Sequence, residues 1–255
     1  MQKQQVIFQD LGVMDYQAAW DYQERLLQEN VKRKSLVYSR ETGVDSEKSV
    51  SHSQLTTHNS ELTTQHHLLF VEHPPVYTLG KSGNIENVLL GEKEMEEKGI
   101  QFFKTNRGGD ITFHGKQQIV GYPILDLEKF YTDIGKYLRH LEDVIILTLA
   151  DYGLQGERSL GETGVWLDAQ VPGMERKICA MGVRTSRWIT MHGFALNVNT
   201  DLSYFNNIIP CGIQNKQVTS LEKELGRKID FEEAKQKVKV NFEKIFDVEL
   251  VSCEL

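Results

Sequence analysis

Cysteine is scarce in this chain, and long apolar runs are missing from it. The only cysteines among the 255 residues are Cys179, Cys211 and Cys253, and an odd, sparse set is not the framework of a disulfide-rich secreted domain. The longest apolar candidate, VIILTLA at 144–150, is far too short to cross a membrane. The opening MQKQQVIFQDLG has no apolar signal core. These features predict a reduced, soluble, cytoplasmic protein.

An excess of basic residues is missing as well. The chain has 29 Lys and Arg against 36 Asp and Glu, which gives a net charge of −7. A nucleic-acid-binding domain usually has a basic face or stripe, so the composition argues against that class. A hydrophobic fraction of 40% is ordinary for a protein with a real core.

Strand-like and helix-like patterns follow one another irregularly along the chain. Apolar runs at 67–73, 117–125 and 164–168 predict strands, and 176–184 and 187–199 predict two more strands joined by a tight turn at Thr185-Ser186. Spacings of three and four predict helices from about Asp15, over 131–150, and after Asp230, which stands at capping distance from Glu233. Strict βαβ alternation is missing, so we expect one α/β domain over residues 1–255 with a mixed sheet.

Residues 40–66 differ from the rest in composition. The segment SRETGVDSEKSVSHSQLTTHNSELTTQ is rich in Ser and Thr and nearly free of large apolar side chains. It cannot bury enough surface to offset the entropy of ordering it. We therefore predict a mobile surface insertion at about 40–66. Its histidines fit no compact metal-ligand spacing, so no metal site is expected there.

Proline and glycine concentrate around four segments that do not look like scaffold. These segments are EHPPVYTLG at 72–80, RGGDITFHGKQQIVGYP at 107–123, RKICAMGVRTSRWITMHGFALNVN at 176–199 and IIPCGI at 208–213. In the last one, Cys211 stands between Pro210 and Gly212, where a turn would present its thiol beside free backbone amides. The alternative is a small buried hydrophobic residue, which is the usual fate of a free cysteine.

Other residues in these segments also allow two interpretations. Lys177 begins an apolar strand pattern, where a partly desolvated lysine would hold a thiolate, although the local sequence alone favours an edge or strand-end lysine in solvent. His114 and His192 lie in glycine-flanked turns and are either substrate-orienting groups or ordinary hydrogen-bonded histidines. Arg107 with the two glycines after it is either a phosphate cradle or a plain loop. No Walker or dinucleotide motif is found.

Together, and in this order, the segments EHPPVYTLG, RGGDITFHG, QIVGYPILDL, KICAMGVR, WITMHGFALNV and PCGI resemble the lipoyl(octanoyl) transferase family. The resemblance covers about residues 5–250 except the insertion. It implies an α/β fold shared with biotin and lipoate protein ligases. It also implies transfer of an octanoyl group from octanoyl-acyl carrier protein to lysines of lipoyl domains. Those acceptors would be the 2-oxoacid dehydrogenase complexes and the glycine cleavage H protein.

The resemblance also implies roles for individual residues. Cys211 looks like the acyl-thioester nucleophile, and Lys177 looks like the residue that lowers its pKa. The substrate-binding loops would be Arg107, Gly108, Gly109, Asp110, Ile111, Thr112, Phe113, His114, Ala180, Met181, Gly182, Gly193, Phe194 and Ala195. No cofactor and no metal is expected, because the donor brings its own phosphopantetheine.

The sequence departs from the family pattern in two places. Lys116-Gln117 stands where the family usually has Pro-Gly, and Cys179 stands where it tends to have a small alanine. In a strand, Cys179 points to the same face as Lys177, about 7 Å away. It is therefore a rival thiol or a wall of the acyl pocket.

Two other functions stay open. One is an ATP-dependent lipoate or biotin ligase on the same fold, against which the PCGI segment argues, because adenylation requires no cysteine. The other is a non-catalytic module that binds lipoyl or carrier proteins.

Overall fold

The computed structural model describes residues 3–41, 63–209 and 217–252, which form a mixed sheet, a smaller sheet and helices packed on them. The strands in the described residues are β1 Gln4–Val13, β2 His66–Glu72, β3 Val76–Leu79, β4 Gln101–Lys104, β5 Ile111–His114, β6 Gln118–Ile124, β7 Val165–Leu167, β8 Arg176–Ser186, β9 Ile189–Asn197, β10 Gln217–Val218 and β11 Val248–Ser252. The α-helices in the same residues are α1 Tyr16–Glu41, α2 Glu92–Glu97, α3 Ile134–Ala150, α4 Leu221–Leu225 and α5 Phe231–Phe246. None of these helices is long and apolar enough to cross a membrane.

The large sheet has the order β10-β8-β9-β6-β2-β1-β11, and β7 pairs with β8 outside this path. Strand β1 runs parallel to β2 and β11, whereas β2, β6, β9 and β8 pair antiparallel in turn. The small sheet has the order β4-β3-β5. The prediction of an α/β fold with a mixed sheet is therefore confirmed.

Both faces of the large sheet are covered. On one face Leu68 and Phe70 of β2 join α3 and α5 in a core, and on the other face Leu69 and Val71 pack with α1. A strand that is buried on both faces has a nearly continuous apolar sequence. This explains why apolar and polar residues do not alternate in HLLFVEH. The small sheet has a core of its own, with Tyr77 and Phe113 fully buried.

Most predicted elements are present, with shifted ends. The helix predicted over 131–150 begins at Ile134, because the Asp133 side chain accepts a hydrogen bond from the Lys136 amide at 2.9 Å and caps it. The tight turn predicted at Thr185-Ser186 is wrong by two residues. Strand β8 continues through Ser186, and the turn is made by Arg187 and Trp188, both with positive φ.

Gln117 explains how the chain tolerates its departure from the Pro-Gly pattern. Its φ is 60°, the left-handed conformation that favours glycine. The Gln117 amide donates to the Glu72 carboxylate at 2.6 Å, and its carbonyl accepts from Asn199 at 3.1 Å. These bonds hold in place a turn that Gln alone would disfavour.

The predicted insertion at 40–66 is too wide at both ends. Helix α1 continues to Glu41 and β2 begins at His66. Residues 42–62 lie outside the described residues, so the predicted mobility of this segment stays a prediction.

Hydrogen bonds hold in place the chain segments on both sides of residues 42–62. The Asn30 amide donates to the Gln65 carbonyl at 2.7 Å and its oxygen accepts from the Gln65 amide at 2.8 Å. The buried Asp126 carboxylate accepts from Lys34 and from Thr64, each at 2.9 Å. The described structure therefore fixes both flanks without help from the segment between them.

We predict that a variant in which eight Gly and Ser residues join Glu41 directly to Thr63 keeps its fold. Helix α1 runs only ~10 Å beyond Lys34 at 1.5 Å per residue, so such a linker spans the return. Its melting temperature should stay within about 3 °C of the parent, because loop length changes stability slowly. Asp126→Asn in the full chain should instead cost about 2 kcal/mol, or roughly 5 °C. A large loss in the linker variant would contradict the prediction.

Candidate active site

A cavity of about 530 Å³ opens beside strands β5, β6, β8 and β9. Its size is that of a small-molecule site. Apolar side chains of Val120, Met181, Phe194, Ala195 and Leu138 form much of its wall, and Lys177, Glu162 and several buried polar groups also line it. The cavity therefore combines a largely apolar interior with one lysine amine.

The structure brings most of the predicted binding residues to this cavity. All of them except Phe113 line it, and so does Lys177. Phe113 belongs to the core of the small sheet, where its ring stacks on Tyr204 at 4.5 Å between centroids. Its side chain therefore serves packing, because alternation along β5 turns it away from its neighbours Thr112 and His114.

The predicted binding loops are mainly strands. Ala180, Met181 and Gly182 lie within β8, Gly193, Phe194 and Ala195 lie within β9, and 111–114 are β5. Only 107–110 form a loop, which folds over β8 as the Gly108 amide donates to the Val183 carbonyl at 3.0 Å. A Cβ on Gly182 would lie 2.5 Å from the Gly108 carbonyl oxygen. Glycine is thus required where this loop meets the strand.

Of the two cysteines that lie in the motifs, the structure describes only Cys179. Cys211 lies outside the described residues, so its role stays a prediction. Cys179 is fully buried in the hydrophobic core, is not among the lining residues, and has its pKa raised by desolvation. Because a thiol reacts as the thiolate, a group buried in this way is an inert side chain. Neither interpretation of Cys179, as a rival thiol or as a pocket wall, fits this position.

Arg107 is a buried part of the wall. Its guanidinium donates to the carbonyl and the hydroxyl of Thr78, at 2.6 Å and 2.9 Å, and to the Gly108 carbonyl at 2.9 Å. These bonds fix the loop to strand β3. The guanidinium is therefore a structural cation at the cavity, which is a different role from an open phosphate cradle.

A polarised chain of hydrogen bonds continues from Arg107 along the cavity. Gln118 donates its amide protons to the Phe113 carbonyl and to Asn197, so its oxygen must accept from Nδ1 of His114 at 2.9 Å. Nε2 of His114 then faces the Thr78 hydroxyl at 3.3 Å. Gln118 and Asn197 lie inside the quoted motifs QIVGYPILDL and WITMHGFALNV, but sequence analysis did not single them out, because a motif does not show which of its amides are hydrogen-bonded together.

Buried histidines surround this chain and are neutral at pH 7. Burial lowers the pKa of His73 to about 4 and that of His192 to about 3, and it holds the pKa of His114 well below 6.5. Nδ1 of His73 donates to the Met14 carbonyl at 2.7 Å, so its Nε2 accepts from the Tyr122 hydroxyl at 2.8 Å.

The described residues include no cluster of three or more His, Cys, Asp or Glu that could hold a metal.

Known proteins are similar in sequence to this chain over nearly its whole length. The sequence model described as "Lipoyl protein ligase A/B catalytic domain" matches residues 48–243. The octanoyltransferase of Christiangramia forsetii is 56% identical over 247 residues, which is 96% of this chain and 97% of that protein. The octanoyltransferase of Flavobacterium johnsoniae is 57% identical over 244 residues, or 95% of this chain and 97% of that protein. The chain belongs to the octanoyltransferase family. It is an acyltransferase.

Solved structures show the same fold at low sequence identity. A lipoate-protein ligase A bound with ATP superposes with a TM-score of 0.63 and 12% identity, covering 99% of this chain and 89% of that one. The protein Ta0514 of T. acidophilum with bound lipoic acid gives a TM-score of 0.64, also at 12% identity, over 99% of this chain and 89% of that one. This chain therefore shares the architecture of the lipoate ligases, as the resemblance implied.

The buried histidines predict that this octanoyltransferase family member loses stability in mild acid. His66, His67 and His73 each have a pKa lowered to about 4 by burial, whereas the unfolded chain takes up those protons near 6.5. Their stabilising contribution is present above about pH 6.5 and is lost as the pH falls toward 4, by about 2 kcal/mol for each by pH 5. Urea unfolding at pH 7 and pH 5 measures it. His67→Gln should reduce the difference, and an unchanged free energy of unfolding across this range would contradict the prediction.

Proposed function

We propose that this acyltransferase takes an octanoyl group from octanoyl-acyl carrier protein, carries it on Cys211 as a thioester, and transfers it to the target lysine of a lipoyl domain. The observation that carries the proposal is the placement of Lys177 in the largely apolar cavity. The octanoyltransferase relatives support the same acyl group. An apolar wall suits a medium-length alkyl chain, and the lysine suits proton transfer at its reactive end.

The energetics of the two steps agree with this assignment. Exchange of one thioester for another is nearly balanced, and aminolysis of a thioester to an amide is downhill. No nucleotide is therefore needed to drive the transfer, and splitting it into two steps is ordinary covalent catalysis.

Lys177 accounts for the proton in each step. In the first step the Cys211 thiolate attacks the donor thioester, and the Lys177 ammonium protonates the departing donor thiolate, so the acyl enzyme holds a neutral Lys177 amine. In the second step this amine takes a proton from the ammonium of the acceptor lysine, which then attacks the thioester. The products are the amide, the Cys211 thiolate, the Lys177 ammonium and one proton released to water.

The cavity wall supplies the ordered surroundings that this chemistry requires. The loop 107–110 stays on β8 through the hydrogen bond from the Gly108 amide to the Val183 carbonyl, and its residues line the cavity together with Ala180, Met181 and Gly182. Backbone amides that do not have to reorganise are the groups that best stabilise a developing oxyanion. We assign the loop around Gly109 as a candidate oxyanion site.

The nucleophile assignment predicts a mass-spectrometric result. After incubation with octanoyl-acyl carrier protein the parent protein should carry one octanoyl adduct on the Cys211 peptide. Cys211→Ser should abolish the adduct, whereas Cys179→Ser should keep it, because Cys179 is fully buried in the core. Octanoate with ATP should give no transfer to a lipoyl domain. An adduct that disappears with Cys179, or transfer that requires ATP, would overturn the proposal.

The role of Lys177 predicts a change in the pH dependence of Cys211 alkylation. Lys177→Met removes the cation that favours the thiolate, so the midpoint should rise toward about 8.5, the ordinary value for a cysteine thiol. Lys104→Met is the matched control, since Lys104 is exposed on strand β4. The same midpoint in Lys177→Met and in the parent would exclude this pairing.

A further inference from the structure

Glu162 is a charged residue of the cavity that lies in none of the four sequence motifs. Its carboxylate is 3.6 Å from Nζ of Lys177, and both side chains line the cavity. The exposed fractions of the two side chains are 15% for Glu162 and 13% for Lys177. A pair this withdrawn from water is screened far less than a surface ion pair.

The loop that presents Glu162 is anchored at the residue two positions later. Glu142 of helix α3 is fully buried, and its carboxylate accepts from the Gly164 amide at 3.1 Å and from Arg158 at 2.8 Å. Gly164 has a φ of 117°, and a Cβ there would lie 2.5 Å from the Cys179 carbonyl oxygen. The loop is therefore held against β8 at a point where only glycine fits.

Lys177 is placed from its other side by Trp166. The two residues are partners in the pairing of β7 with β8, and Nζ lies 4.5 Å above the Trp166 ring. Trp166 is 2% exposed. An aromatic face and a carboxylate both favour the cationic form of a lysine, and together they limit where its ammonium can lie.

We propose that Glu162 is the positioning residue of Lys177, whose carboxylate holds the lysine in the cavity and favours the charged form with which each catalytic cycle begins. The inference rests on the proposed function, in which Lys177 gives up a proton in the first step and regains one in the second. Without a nearby anion, a lysine in a largely apolar cavity would less often be charged at the start of the first step, because burial disfavours its charge. The carboxylate acts only through Lys177 and exchanges no bond with the acyl group.

Competitive labelling of lysines with acetic anhydride across the pH range tests the pairing without any turnover. Only neutral amines react, so the pH at which the Lys177 peptide becomes labelled reports its charge. In Glu162→Gln this midpoint should fall by about one pH unit, since an opposite charge at this distance shifts such equilibria by one unit or more. Glu162→Asp should restore most of the difference. Glu97→Gln, which removes a carboxylate paired with exposed Lys93, is the control and should leave Lys177 unchanged.

The pH profile of Cys211 acylation by octanoyl-acyl carrier protein provides the second measurement. Its alkaline limb should move to lower pH in Glu162→Gln by the same amount, so that at a fixed pH above both midpoints turnover should fall about tenfold. A merely structural role would lower the plateau and the melting temperature without moving either midpoint. Unmoved midpoints in a folded Glu162→Gln protein would overturn the inference. A shifted labelling midpoint in a protein that forms no Cys211 adduct would support the pairing and reject the proposed function instead.

Discussion

The hydrogen-bond chain that begins at Arg107 determines which atoms face the cavity. The donor at one end and the acceptor at the other end fix the direction of every hydrogen bond between them. A guanidinium only donates and the Thr219 carbonyl only accepts, so Thr78, His114, Gln118 and Asn197 have one consistent arrangement between them. Each member is buried, and loss of one partner would leave a polar atom unsatisfied at a cost of about 1–3 kcal/mol.

This chain also connects separate parts of the fold. It begins at Arg107 in the loop 107–110, passes through β3, β5, β6 and β9, and ends beside β10. The Thr219 amide then donates to the Lys177 carbonyl at 2.9 Å. The backbone that presents the lysine amine is therefore joined by hydrogen bonds to the guanidinium of Arg107, which lines the same cavity. Packing alone would allow the two sheets to slide, whereas directional bonds do not.

Sequence reasoning predicted the large sheet and its helices because their apolar periodicity is strong. It did not detect β3, β4 and β5 as a sheet, since VYTL, QFFK and ITFH are short and two of them lie within segments that did not look like scaffold. Gly108 and Gly182, where glycines mark a close approach, line the cavity. Phe113 lies instead in the core of the small sheet, and a motif does not say which of its side chains point toward a cavity.

The sequence did not identify residues whose role depends on where the fold places them. Glu162 stands in GETG, which has no motif, and only the pairing of β7 with β8 and the anchor at Glu142 bring it to Lys177. Cys179 shows the reverse case. Its spacing from Lys177 predicted a shared face, but the register between β7 and β8 shifts at this point, and the thiol lies in the core.

The pairing of β1 with β11 has a consequence for biosynthesis. Gln4 lies opposite Val248 in a parallel ladder, so the first and the last described strands are neighbours although almost the whole chain separates them. Contacts between such distant segments slow folding, because the intervening chain must be ordered or looped before they form. While the chain is being made on a ribosome, β1 has one open edge until β11 has emerged. An unpaired strand edge is a template for association with other chains. A nascent chain of this protein thus has an exposed strand edge at β1 throughout the synthesis of the residues that precede β11.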